Sequence, residues 1–186
     1  MKSYYIHFIR NGLTEGNVSG KYIGHIDEPL SDEGVAQILQ MKKDYRYPKA
    51  EAVFSSPLSR CTQTAKLLFP DRDPIVIDGL IEYNFGEFEG KTAEELQNHP
   101  VFPDWLAGKA DVQPPFGESN NEFANRIATA FIKIVDGLIE IGSVRNILEH
   151  INIEEGRKYK AVRGQRDGAG AEILLVADGG SLIEAL

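Results

Sequence analysis

The sequence of 186 residues has a single cysteine, Cys61, and no long run of apolar residues. One cysteine excludes an intramolecular disulfide framework and any zinc site built on cysteines. No segment approaches the ~18 apolar residues of a membrane-spanning helix, and the opening residues MKSYYIHFIR lack the apolar core of a signal peptide. We therefore expect a soluble, cytoplasmic protein with no membrane partner.

Basic residues are in the minority, because 20 Lys and Arg stand against 28 Asp and Glu, for a formal net charge of −8. Nucleic acids reward clustered Lys and Arg, so this balance argues against a nucleic-acid partner. The apolar share of 42% and the charged share of 26% are those of an ordinary globular chain. We expect one domain over residues 1–186 that needs neither a disulfide nor a structural metal.

Short apolar runs rich in β-branched and aromatic residues predict four strands, at 4–9, 52–54, 74–77 and 173–176. Helix-start signals stand between these runs. Strands and helices that alternate in this way predict an α/β fold, a three-layer sandwich in which a mainly parallel sheet is flanked by helices.

The helix starts are of two kinds. Single capping residues, Ser31 and Ser56, predict two helices, and the proline after Ser56 suits a first helical position. Capping boxes that begin at Thr92 and Ser119 predict two more, the second of them long and amphipathic.

Three stretches predict loops. The stretch 12–29 is rich in glycine, and the stretch 99–117 is interrupted by prolines. The stretch 156–172 is both glycine-rich and basic, which predicts a solvated loop and leaves a partner-binding surface open as an alternative.

Polar side chains follow each predicted strand. In open parallel sheets, ligands bind outside the carboxyl ends of the strands. Guanidinium groups match phosphate oxygens bidentately, so two arginines at such an edge predict an anion site. The alternative is a structural network in which these arginines only neutralise nearby carboxylates. The residues that leave the four strands are Arg10, Asn11, Ser55, Ser56, Arg60, Glu82 and Asp178.

Six segments, in order, resemble the histidine phosphatase superfamily, which is also called phosphoglycerate mutase-like. The resemblance spans nearly the whole chain, from about residue 4 to residue 186. The segments are IRNGLTEGN, GHIDEPLSDEG, SSPLSRCTQTA, EYNFGEFEG, FGES and VADGG. The resemblance implies the phosphoglycerate mutase-like fold, and the compact length is similar to that of the small phosphatases of the family.

In that family one histidine attacks phosphorus, a glutamate protonates the leaving oxygen, and a second histidine stabilises the transferring group. Two arginines and an asparagine hold the phosphate. The resemblance therefore implies that Arg10, Arg60 and Asn17 bind phosphate and that Glu82 serves as the acid. It implies no cofactor.

The sequence departs from the family at two positions, where Asn11 and Asp178 stand in place of the two histidines. An amide nitrogen is delocalised into its carbonyl and cannot attack phosphorus. The Asp178 carboxylate would repel phosphate. At ~4 Å and an effective dielectric constant of about 20, that repulsion is on the order of 4 kcal/mol, which would weaken binding roughly a thousandfold.

We therefore expect a protein that binds inorganic phosphate or a small phosphorylated molecule but lacks the phosphohistidine reaction. Two alternatives stay open: an active phosphomonoesterase with unusual chemistry, such as attack by Asp178, and a partner-binding module that uses the 156–172 loop. A cation held by Asn11, Glu82 and Asp178 is a further possibility. The family continues with another helix and strand after the position of Asp178, so we expect a domain shortened at its C-terminus.

Overall fold

The computed structural model describes residues 3–109, 112–142 and 170–177. Within these residues four strands form one sheet in the order β1-β4-β2-β3, and every neighbouring pair is parallel. The predicted parallel sheet is confirmed, and each predicted strand overlaps an observed one. The strands are β1 (Ser3–Arg10), β2 (Ala52–Ser55), β3 (Ile75–Val76) and β4 (Gly170–Ala177).

The same residues form six α-helices, three of them longer than two turns. Two short 3₁₀ turns lie between β3 and α4. The helices are α1 (Glu15–Val18), α2 (Asp32–Asp44), α3 (Ser59–Leu68), α4 (Ala93–Leu96), α5 (Phe102–Leu106) and α6 (Asn120–Gly142).

The core lies on both faces of the sheet, because successive residues of a strand point to opposite sides. Phe54 of β2 and Leu175 of β4 pack with the apolar face of α6 in one buried cluster. Their neighbours Val53 and Val176 pack with residues of α2 and α3 in another. Helices therefore cover both faces of the sheet, and the predicted three-layer sandwich is confirmed.

Local capping explains where several helices begin. The Ser31 hydroxyl accepts the backbone N–H of Gly34 at 3.0 Å and starts α2. At the start of α6, the Ser119 hydroxyl accepts the N–H of Glu122 at 3.2 Å, while the Glu122 carboxylate accepts the N–H of Ser119 at 2.8 Å. The capping box at Thr92 is also formed. These three predicted helix starts are confirmed.

The predicted start of α3 at Ser56 is wrong, because the helix begins at Ser59. Ser56 is still paired with the sheet, since its N–H donates to the Val176 carbonyl at 3.1 Å. The cap comes from a distant residue instead, because the carboxylate of Asp27 accepts the N–H of Ser59 at 2.6 Å. Pairing with the sheet thus outweighs the local helix signal at this position.

The predicted loops are partly wrong. The 12–29 stretch contains the helix α1, which begins with a capping box formed by Thr14 and Asn17. The 99–117 stretch contains the helix α5, which has a proline in its first turn. β4 begins at Gly170, so the end of the predicted 156–172 loop belongs to a strand. The rest of that stretch, 156–169, lies outside the described residues.

Among the helices that the structure describes, none combines the length and the apolar character needed to cross a bilayer.

Candidate functional site

The carboxyl ends of three strands lie side by side at one edge of the sheet. Arg10, at the end of β1, is opposite Ala177, the last residue of β4. The Asn11 N–H donates to the Ala177 carbonyl at 3.1 Å, and on the other side of β4 the Ser56 N–H donates to the Val176 carbonyl. Neighbouring strands lie about 4.8 Å apart, so the chain leaves β1 and β2 within reach of one small ligand. Asp178 lies outside the described residues.

Arg60 lies in the first turn of α3, and its side chain is only 2% exposed. A buried charge is stable only where hydrogen bonds compensate for its lost hydration. The guanidinium donates from Nη2 to the Gly24 carbonyl at 2.7 Å and from Nη1 to the Ile26 carbonyl at 2.9 Å. The segment from Gly24 to Leu30, which we name the 24–30 loop, therefore fixes the position of Arg60.

Two further contacts attach the 24–30 loop to α3. The Asp27 carboxylate accepts from both the N–H and the hydroxyl of Ser59, at 2.6 and 2.9 Å. The Leu30 N–H donates to Oε1 of Gln63 at 2.8 Å. The segment GHIDEPL thus forms the support beside the first turn of α3, a role that its sequence alone does not reveal.

Thr64 connects the end of β1 to the helix that carries Arg60. Its buried hydroxyl accepts the N–H of Gly12 at 3.0 Å and donates to the Arg60 carbonyl at 2.7 Å. Because Thr64 follows Arg60 by one helical turn, Gly12 and its neighbour Asn11 are held against the same face of α3. The motif SSPLSRCTQTA contains Thr64, but the sequence by itself does not indicate this contact.

Asn11 and Asn17 both use part of their carboxamide within their own segment. The Asn11 Nδ2 donates to the Gly12 carbonyl at 2.8 Å. The Asn17 Oδ1 accepts the N–H of Thr14 at 3.1 Å and so closes the capping box of α1. A phosphate contact by Asn17, as predicted, would therefore use its Nδ2 as the donor.

Glu82 is 8% exposed, and its Oε1 accepts the N–H of Tyr83 at 2.8 Å. We name residues 82–85 the 82–85 loop. The chain before Glu82 is held by Arg126 of α6, whose Nη1 donates to the Ile81 carbonyl at 2.7 Å and whose Nη2 donates to the Glu82 carbonyl at 3.2 Å. Arg126 also pairs with Glu118 at 2.5 Å, and Glu118 accepts the N–H of Asn84 at 2.8 Å.

The 24–30 loop and the 82–85 loop touch each other. A Cβ atom added to Gly24 would overlap the carbonyl oxygen of Tyr83 and approach the ring of Phe85. Gly24 is also the residue whose carbonyl accepts from Arg60. The supports of the two predicted site residues Arg60 and Glu82 are therefore in direct contact.

Arg10 differs from Arg60 in its surroundings. Its side chain is exposed at the end of β1, and within the described residues its guanidinium has no hydrogen bond or ion pair with another side chain. Arg10 is thus an exposed cation whose charge is not paired within the described residues.

Tyr83 begins an aromatic cluster beside the site. Its ring packs against Phe85 and Phe123, with ring centroids 5.1 and 5.6 Å apart. Burial raises the pKa of the Tyr83 hydroxyl above its ordinary value, so the hydroxyl stays protonated at neutral pH. This cluster gives the 82–85 loop an apolar backing.

A shallow groove of about 550 Å³ lies elsewhere, between β3 and α6. Its charged lining residues are Asp78, Arg126 and Lys133. The Arg126 guanidinium is already engaged with Glu118 and with backbone carbonyls. The groove contains none of the predicted site residues, and we do not assign the site to it.

Within the described residues, no group of three His, Cys, Asp or Glu side chains is arranged to hold a metal ion. The cation site predicted for Asn11, Glu82 and Asp178 remains a prediction, because Asp178 lies outside those residues.

The fold and the strand-end site together define an α/β protein with a polar site at the carboxyl edge of a parallel sheet. A sequence profile of the histidine phosphatase superfamily (branch 1) matches residues 6–138. The chain belongs to this superfamily, as the six motifs predicted.

Two curated relatives, both named as phosphatases, are similar to this chain in sequence. The adenosylcobalamin/alpha-ribazole phosphatase of Salmonella typhimurium is 29% identical over 123 residues, which are 64% of this chain and 61% of that protein. The phosphoserine phosphatase 1 of Hydrogenobacter thermophilus is 29% identical over 123 residues, which are 64% of this chain and 58% of that protein. The matched part thus spans about three fifths of the length of these curated relatives.

Solved structures share the fold. The alpha-ribazole phosphatase of Shigella flexneri superposes with a TM-score of 0.68 at 24% identity, over 95% of this chain and 75% of that one. The protein TTHB049 of Thermus thermophilus superposes with a TM-score of 0.62 at 26% identity, over 95% of this chain and 79% of that one. The fold prediction is confirmed by these likenesses.

Proposed function

We propose that this chain binds inorganic phosphate or a small phosphomonoester at the carboxyl edge of its sheet and lacks phosphohistidine chemistry. The observation that carries the proposal is the buried guanidinium of Arg60, which donates to the Gly24 and Ile26 carbonyls and lies in the first turn of the helix that follows β2. Charged donors that are fixed in advance bind an anion without a further ordering cost. Arg10 supplies a second, exposed cation at the same edge.

The lack of turnover follows from the residue at position 11. The lone pair of an amide nitrogen is delocalised, and the Asn11 Nδ2 donates a hydrogen bond to Gly12 rather than presenting a lone pair. Phosphoryl transfer in this family needs a neutral imidazole as nucleophile, and Asn11 and Asp178 stand where the sequence motifs place the two imidazoles. In this proposal the chain is a pseudoenzyme.

Electrostatics set the expected affinity. Arg10 and Arg60 bring two positive charges, while Glu82 and Asp178 bring two carboxylates, so the site is close to neutral. We expect weak binding, with a Kd for phosphate of about 1 mM. The names of the relatives, alpha-ribazole phosphatase and phosphoserine phosphatase, support a small phosphomonoester as the ligand class.

Calorimetric titration with inorganic phosphate tests the binding half of the proposal. Arg10→Ala removes an exposed cation from the site, and we expect it to raise the Kd about tenfold, as the loss of a charged hydrogen bond does. Arg46→Ala is the matched control, because Arg46 is also exposed but lies beyond the end of α2. A wild-type protein that binds no phosphate, or equal affinities for the two variants, would overturn the binding proposal.

Hydrolysis of p-nitrophenyl phosphate tests the catalytic half. We expect no turnover by the wild type and restored turnover in the double variant Asn11→His with Asp178→His. Wild-type turnover that disappears in Asn11→Ala would show an active phosphomonoesterase instead. A folded double variant without turnover would count against the idea that only the two imidazoles are missing.

A further inference from the structure

Glu89 accepts four backbone hydrogen bonds from two separate segments. Its Oε1 accepts from His25 at 2.8 Å and from Phe85 at 3.2 Å. Its Oε2 accepts from Gly24 at 3.1 Å and from Ile26 at 3.3 Å. Glu89 belongs to the segment EYNFGEFEG, in which the family resemblance implies a role only for Glu82.

The three consecutive N–H groups that Glu89 binds belong to the segment whose carbonyls hold Arg60. Gly24 and Ile26 donate their N–H groups to the Glu89 carboxylate and accept from the Arg60 guanidinium through their carbonyls. One short piece of backbone therefore lies between an anion and a cation. In the peptide group that joins Gly24 to His25, the N–H of His25 donates to Glu89 while the carbonyl of Gly24 accepts from Arg60, so the anion polarises this group and makes that carbonyl a stronger acceptor.

The fourth bond extends this arrangement to the other loop. Phe85 lies at the end of the 82–85 loop, and its N–H shares Oε1 of Glu89 with His25. The same carboxylate therefore joins the loop that holds Arg60 to the loop that carries Glu82. The close approach of Gly24 to the Tyr83 carbonyl depends on both loops staying in place.

We propose that Glu89 is a positioning residue for the phosphate site, which fixes the Arg60 guanidinium through the backbone of residues 24–26. This inference rests on the proposed function, because it assigns Arg60 the task of binding phosphate. Glu89 touches no ligand in this scheme. It sets the direction in which Arg60 presents its N–H groups.

Glu89→Gln is the appropriate change, because it keeps the size of the side chain. One oxygen can still accept two N–H groups, but the new amide nitrogen faces the other two donors and repels them. The matched control is Glu87→Gln in the same segment. The Glu87 side chain is exposed, and its carboxylate contacts the His99 ring at 3.4 Å rather than the 24–30 loop.

A double-mutant cycle, with the Kd for phosphate as its readout, distinguishes positioning of Arg60 by Glu89 from a general effect of Glu89 on the fold. We expect Glu89→Gln to raise the phosphate Kd about tenfold in the wild-type background, as the loss of one charged hydrogen bond would. In an Arg60→Lys background the same change should have almost no effect, because a lysine does not use the Gly24 and Ile26 carbonyls in the same way. Equal effects in both backgrounds, or an equal effect of Glu87→Gln, would overturn the inference.

A second measurement needs no phosphate. The Nε–H signal of Arg60 in a ¹H–¹⁵N spectrum should shift or broaden in Glu89→Gln and stay in place in Glu87→Gln. An unchanged Arg60 signal in Glu89→Gln would overturn the inference even if phosphate binds. A shifted signal in a protein that binds no phosphate would leave the positioning of Arg60 by Glu89 supported and the proposed function refuted.

Discussion

Replacing Arg126 with alanine removes the group that holds the chain on either side of Glu82. From α6 the guanidinium donates to the carbonyls of Gly79, Ile81 and Glu82, at 3.2, 2.7 and 3.2 Å. It also pairs with Glu118, whose carboxylate is 14% exposed while the Arg126 side chain is 25% exposed. The change therefore leaves three carbonyls without this donor, and it leaves the largely buried Glu118 carboxylate without its cation and with only the N–H of Asn84.

The magnitude follows from those contacts. Each bond from a charged donor to a carbonyl contributes about 1 kcal/mol here, below the usual ~1.5–3 because Arg126 is partly exposed. The loss of the ion pair with Glu118 adds about 1 kcal/mol more. We expect Arg126→Ala to lower the free energy of unfolding by roughly 4 kcal/mol, a large fraction of the ~5–15 kcal/mol of a typical domain.

Urea denaturation at pH 7, followed by fluorescence and circular dichroism, measures this change. Lys133→Ala on the same helix is the control, because Lys133 is exposed, and its effect should stay within about 0.5 kcal/mol. Arg126→Lys should still lose more than about 1 kcal/mol, since an ammonium cannot reach three carbonyls and a carboxylate together. A loss below about 1 kcal/mol for Arg126→Ala would refute the argument that this residue holds the Glu82 segment.

Three further changes test other contacts. Gly24→Ala should destabilise the protein by ~1–3 kcal/mol and weaken phosphate binding, because the new Cβ would overlap the Tyr83 carbonyl. A melting temperature and a phosphate Kd equal to those of the wild type would contradict the close approach of Gly24 to Tyr83. Thr64→Val should lower the free energy of unfolding by about 1–3 kcal/mol in urea, since the partly buried N–H of Gly12 loses its acceptor. No loss would show that Gly12 finds another partner. Hydrogen bonds from Ser119 lower the pKa of Glu122 from its ordinary value of 4.5. The ionised carboxylate therefore stabilises the fold at a pH above 4.5, and this stabilisation is lost as the pH falls through the lowered pKa. Glu122→Gln should therefore weaken the dependence of the urea midpoint on pH as the pH falls below about 5, and an unchanged dependence would contradict the assignment.

The sequence predicted the strands and several helix starts because their causes are local. Ser31 caps α2 through an N–H three residues away, and Ser119 forms a box with Glu122 over the same distance. The predicted start at Ser56 is wrong for a non-local reason, because pairing with Val176 keeps that residue in the sheet. Asp27, which lies 32 residues before Ser59, supplies the cap instead.

The sequence alone determined the superfamily, the parallel α/β fold and the end of the first strand, at which Arg10 and Asn11 lie. Only the tertiary structure decided how those side chains are held. Glu89 binds backbone N–H groups from positions 24 to 26, and Thr64 binds the N–H of Gly12. Every residue has the same backbone carbonyl, and every residue except proline has the same backbone N–H. The residue type therefore does not predict which distant side chain will bind these groups.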